Sequence, residues 1–91
     1  MIVSLEEMKQ YLRVDYDDDN DIINHLITGA VRICMDILRV DTEAELEECE
    51  NGKTAVLYTV AYLYEHREDA DHHGLTINLR SLLFGSRKEA F

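Results

Sequence analysis

Proline and tryptophan are absent from this chain, and its 91 residues include only four glycines. A turn-rich all-β fold needs frequent glycine and proline punctuation, so helices are favoured. No apolar run approaches the roughly 20 residues of a membrane span. Met1-Ile2-Val3 leads straight into charged residues, without the pattern of a secretory leader. Two cysteines, Cys34 and Cys49, are too few for a disulfide framework and are expected to stay unpaired in a reducing cytosol. Positive charge is also scarce. Nine Lys and Arg face 19 Asp and Glu, for a net charge of −10. Such a body repels a phosphate backbone, which argues against stable non-specific nucleic-acid binding.

Apolar residues are plentiful, at 46%, so the chain is built to fold. Its length suits one small domain, 1–91, with a short basic tail at about 85–91. Ser4 and Glu7 form a capping-box pattern that opens a short helix at about 4–12, with Leu5, Met8, Tyr11 and Leu12 on one side. Asp21 to Leu38 is a long amphipathic helix, with Ile23, Leu26, Ile27, Ala30, Cys34, Ile37 and Leu38 at three- and four-residue steps. Gly29 interrupts it at a cost of about 1 kcal/mol relative to alanine, and permits close approach of a second helix. Residues 39–51 carry six acids and read as a loop or a short exposed helix. Lys53 to Arg67 is apolar nearly all round, so it belongs at the centre of the fold or against a partner. After a polar turn at 68–74, Leu75 to Leu83 forms a last short helix, with Thr76 as candidate cap. The expected fold is all-α, a small bundle of about four helices.

The most conspicuous motif is acidic: Asp15, Asp17, Asp18, Asp19 and Asp21 fall within seven residues. An EF-hand loop needs glycine at position 6 and a bidentate glutamate at position 12. Counted from Asp15 these are Asn20 and Leu26; counted from Asp17 they are Ile22 and Thr28. Both registers fail. The favoured reading is capping of the long helix by Asp18 or Asp19, with the other carboxylates as solvated surface near its positive end. His66, His72 and His73 lack zinc-ligand spacing and read as surface histidines. Cys34 reads as a small core residue, and Cys49, among acids, lacks the setting of a nucleophile. No catalytic order, phosphate loop or cofactor motif is present, so no catalytic residue, metal site or cofactor is expected. Tyr58, Tyr62 and Tyr64 read either as the half-buried rim of a core or as a row facing a partner.

The order of these features resembles the small head–tail connector (adaptor) proteins of long-tailed bacteriophages. The likeness rests on Tyr11-Leu12-Arg13-Val14-Asp15 closing the first helix, then Asp21-Ile22-Ile23, Leu26-Ile27 and Ala30. Ala61-Tyr62-Leu63-Tyr64-Glu65 with Arg67 follows, and last Leu79, Leu82, Leu83 and Arg87. Many relatives carry a proline or a short hydrophobic phrase before the last helix; this chain has Asp71 to Thr76 there. The resemblance implies a non-enzymatic homo-oligomeric ring beneath the portal protein, receiving a tail or stopper protein. DNA would pass through it without specific binding and no membrane would be involved. It would sit in the virion, after assembly in the host cytoplasm. Candidate contact residues are then Tyr58, Tyr62, Tyr64, Leu79, Arg80, Leu82, Leu83, Arg87 and Lys88. The five aspartates are candidates for an acidic surface or channel lining. The competing expectation is a small acidic helical adaptor or regulator that binds a cellular protein through the apolar helix.

Overall fold

Ser4 opens the first helix as its sequence requires. Its hydroxyl accepts the Glu7 N–H and the Glu7 carboxylate accepts the Ser4 N–H, closing the capping box. The computed structural model describes residues 2–67 and 71–85. Five helices occur among them: α1 (Leu5–Leu12), α2 (Asn20–Leu38), α3 (Glu43–Glu47), α4 (Gly52–Glu65) and α5 (His72–Gly85). There is no strand among the described residues, so the all-α expectation holds.

α2 and α4 make the most extensive pairing, and each also touches α1, α3 and α5. The nearly all-apolar α4 is therefore central. Its Ala55, Val56, Thr59 and Val60 are buried against Ile23, Ile27, Ala30 and Cys34 of α2, Met8 of α1 and Leu75, Leu79 and Leu83 of α5. Thr59 is the one buried polar residue among those described. Its hydroxyl donates to the Ala55 carbonyl at 2.7 Å, which leaves its oxygen free to accept from the Cys34 thiol at 3.8 Å. A buried hydroxyl without partners would be costly, and this one has two.

α1 and α2 both end on an arginine in the left-handed conformation, Arg13 (φ 62°) and Arg39 (φ 61°). The next residues close the turn, with Val14 N–H on the Lys9 carbonyl and Val40 N–H on the Met35 carbonyl. A positive side chain suits the negative helix end, although glycine would adopt this backbone with less strain.

Of the two alternatives for the acidic segment 39–51, the short helix is the one present: α3 is opened by a second capping box between Thr42 and Glu45, and its Leu46 is buried rather than exposed. Two local expectations are corrected. α5 begins at His72, three residues before the expected start, so Thr76 lies inside it and is no cap. Asp71 precedes it and accepts the Gly74 N–H at 3.1 Å. Asp19 stands at the N-cap position of α2, but no capping bond comes from its side chain. That carboxylate is engaged elsewhere, as described below.

Candidate interaction surfaces

Three tyrosines of α4 point in two directions, and each hydroxyl ties a different segment to the helix. Tyr58 Oη accepts from Asn78 Nδ2 at 3.1 Å, and Tyr62 Oη accepts the Asp71 N–H at 2.8 Å. These two hold α5 alongside α4. Tyr64 points the other way and donates to Asp19 Oδ2 at 2.5 Å, with the Tyr16 hydroxyl 3.4 Å from its own. The Asp19 carboxylate accepting this proton, with Tyr16 beside it, pushes the Tyr64 phenol above its ordinary pKa. The rings are half-buried, so this row is a rim around the core that still offers one edge to the outside.

The other expected contact residues separate. Leu79 and Leu83 are fully buried among the chain's own helices. Leu82 is half-buried and Arg80 is exposed. Arg87 and Lys88 lie outside the described residues. Tyr58, Asn78, Ser81 and Leu82 line an open groove of about 540 Å³ between α4 and α5, and Ile77, 51% exposed, stands one turn from Ser81. No lining residue carries a charge.

Among the described residues no group of three or more His, Cys, Asp or Glu is placed to hold a metal ion. His66 stacks on Tyr62 at 4.2 Å and its Nδ1 lies 3.0 Å from the Tyr62 carbonyl oxygen. Burial pushes the Cys34 thiol up to about 11, whereas Cys49 is only partly buried. Both are free thiols. A thiol-disulfide reagent at pH 8 is therefore expected to label Cys49 in the folded protein. Cys34 should react at least tenfold more slowly, until denaturant is added; equal rates would mean that α2 and α4 are not packed as described.

Residues 2–89 match the family model of the Phage gp6-like head-tail connector protein. The chain belongs to this family. No curated protein and no solved structure matches it. The connector is thus a structural phage protein of the head–tail junction, of a non-catalytic kind. No helix among its described residues is long and apolar enough to cross a membrane.

In this connector the acidic stretch forms the end of the loop between α1 and α2 and the first turn of α2, which holds Asp21. Asp15, Asp17, Asp18 and Asp21 are exposed, and Asp19 is half-buried. Lys9 pairs with Asp17 at 2.7 Å and holds its carboxyl below the usual range, helped by Asn20. Lys53 does the same for Glu7, bridging α1 to α4. Asp17 and Lys53 are exposed, while Lys9 is largely covered; with at least one partner of each pair in solvent, the pairs set the geometry more than they stabilise it. The apolar face read from the sequence included Leu26 and Ile37 but left out Ile22 and Ile33, which with them form a second apolar stripe on α2 that also contains Gly29. These lie at steps of i, i+4, i+7, i+11 and i+15, one residue out of register with the buried stripe Ile23, Ile27, Ala30 and Cys34. Ile22 is 41% exposed and the other three isoleucine or leucine side chains are half-buried. The signal was available: an apolar arc wider than a single core contact requires.

Proposed function

We propose that the connector assembles as a ring of identical subunits beneath the portal, forming a conduit for DNA and the attachment point for a tail or stopper protein. The observation that carries this reading is the family match over residues 2–89. Half-exposed apolar residues on α2, α4 and α5 are in keeping with it. A ring needs a heterologous contact, in which one face of a subunit meets a different face of the next. Deleting the gene from its phage is expected to yield DNA-filled or leaking heads beside unattached tails, restored by the gene in trans. Normal numbers of tailed infectious particles would contradict the proposal.

Charge sets the orientation in this reading. Residues 75–91 carry a net positive charge on a chain of net −10. Arg87 and Lys88 would meet an acidic surface of the neighbouring subunit or of the portal, where electrostatic complementarity steers encounter. Reversing both, Arg87→Glu with Lys88→Glu, is expected to reduce incorporation into heads at least tenfold at physiological salt. Undiminished incorporation would remove the tail from the contact. The exposed carboxylates of Asp15, Asp17, Asp18 and Asp21, or the acids of 43–50, would face the passing duplex and keep it from adhering. Asp17→Lys with Asp18→Lys is then expected to slow DNA ejection at low salt and to do so less at high salt. An unchanged ejection rate at both would place this loop away from the duplex.

A further inference from the structure

Asn51 is followed by a glycine, whereas Asn20, Asn24 and Asn78 precede Asp21, His25 and Leu79. Asparagine is among the thermolabile residues, and a following glycine makes it most so, because no side chain obstructs the next amide. The Gly52 nitrogen attacks Cγ of Asn51. The new N–Cγ bond closes a five-membered succinimide. The Cγ–Nδ2 bond breaks, and Nδ2 leaves as ammonia with the proton that the Gly52 nitrogen gives up. Water then opens the ring at either carbonyl and leaves aspartate or isoaspartate at position 51. The reaction needs no oxidant, cofactor or second protein.

The fold gives a separate reason for each member of this labile pair. A Cβ at position 52 would collide with the Leu46 carbonyl oxygen, so α4 must open on glycine. Asn51 Nδ2 donates to the Leu82 carbonyl at 3.0 Å, in the last turn of α5, and aspartate has no such proton to give. The same contacts hold the reaction off. The leaving nitrogen is bound to Leu82. The Gly52 N–H is donated to the Cys49 carbonyl at 3.0 Å, and Gly52 is buried. Asn51 has a ψ of 18°, and its own carbonyl accepts the Ala55 N–H at 2.8 Å. Ring closure needs a ψ remote from this value. Reaching it breaks that bond and drives Gly52 out of its place against Leu46.

We propose that Asn51 is a site of spontaneous deamidation that the docking of α5 keeps closed, and that its conversion irreversibly releases the last turn of α5. Aspartate at position 51 replaces a donor by a carboxylate that faces the Leu82 carbonyl at the negative end of α5. It adds this charge beside the exposed Glu48 and Glu50. It also favours the N-cap role that the Asn51 side chain leaves unfilled, accepting N–H groups of α4. Both effects turn the side chain away from Leu82. The groove of Tyr58, Asn78, Ser81 and Leu82 is walled by this part of α5, so its shape changes with the release.

The test uses the full chain, incubated at pH 8 with and without urea and read by peptide mass spectrometry. In urea, Asn51 is expected to convert ahead of Asn20, Asn24 and Asn78. In the folded protein it should convert at least tenfold more slowly than in urea. Equal rates in the two conditions would show that the fold does not guard the pair. A conversion in urea no faster than that of the other three asparagines would show that there is no special site. The release is read by hydrogen exchange of the segment 79–83 in the Asn51→Asp variant. Exchange at least fivefold faster than wild type is expected there, with the segment 23–34 of α2 unchanged. Wild-type exchange at 79–83 would overturn the release. The aged wild-type chain, already folded when it converts, gives the same reading with no refolding step, so a variant that fails to fold does not shelter the proposal.

Discussion

Gly52→Ala is expected to lower the stability of the connector by about 3 kcal/mol, at the upper end of the cost of overpacking a core. Gly52 opens α4 and is buried against α3. A Cβ built there would fall 2.2 Å from the Leu46 carbonyl oxygen and 3.2 Å from its carbon. These are backbone atoms and have no rotamer to give. Either α3 or the first turn of α4 must move, and Leu46 is one of the fully buried side chains. In a chain of this size such a loss corresponds to about 12–24 °C in melting temperature. Circular dichroism melts measure it directly. A Gly52→Ala variant melting within a few degrees of wild type would show that α3 and α4 do not approach as described. Opposite signs for Gly52→Ala and Gly29→Ala would separate a glycine that the monomer requires from one that it does not.

Leu79→Ala should cost about 3 kcal/mol as well, within the usual range for truncating a buried leucine. Leu79 is fully inaccessible, packed in the common core with Leu75 and Leu83 of α5. Total stability for a chain of this length is on the order of 5–10 kcal/mol, so the loss is a large fraction of it. The decisive comparison is with Leu82→Ala on the same helix. Leu82 is half-buried at the groove, and its truncation is expected to cost about 1 kcal/mol or less in the monomer while weakening assembly more than tenfold. Chemical denaturation measures the first quantity and incorporation into heads the second. If Leu79→Ala left the denaturation midpoint unchanged, α5 would not be packed on α4 through this face.

These two leucines also show where the sequence runs out of information. Leu75, Leu79 and Leu83 recur every four residues, and that spacing marks one side of a helix without saying what covers it. Core and partner surface have the same pattern, so Leu79 and Leu83 were expected at a contact and lie instead in the core. Ser4 and Glu7 were legible because a capping box is local: all its atoms lie within four residues. Thr42 and Glu45 form the same motif, but the acidic run around them suggests a solvated loop and hides the single anchor, Leu46. Asp19 was placed correctly at the start of α2. The partner of its side chain, Tyr64, is 45 residues away, and no local rule reaches that far. Asn51 behaves alike, leaving its own helix uncapped and donating to the Leu82 carbonyl at 3.0 Å. Such tertiary hydrogen bonds fix how α5 and the acidic loop lie on α4, and so fix the shape of the groove. The family resemblance was readable because it depends on the order of local phrases. The surfaces through which copies meet were not, because they depend on what the fold leaves uncovered.

Immunogold electron microscopy of purified virions, with antibody raised against this chain, tests the central claim most directly. The account predicts label concentrated at the junction of head and tail on most particles, and none on heads from the deletion phage. Label absent from gently opened virions, or spread over the head shell or along the tail, would contradict it.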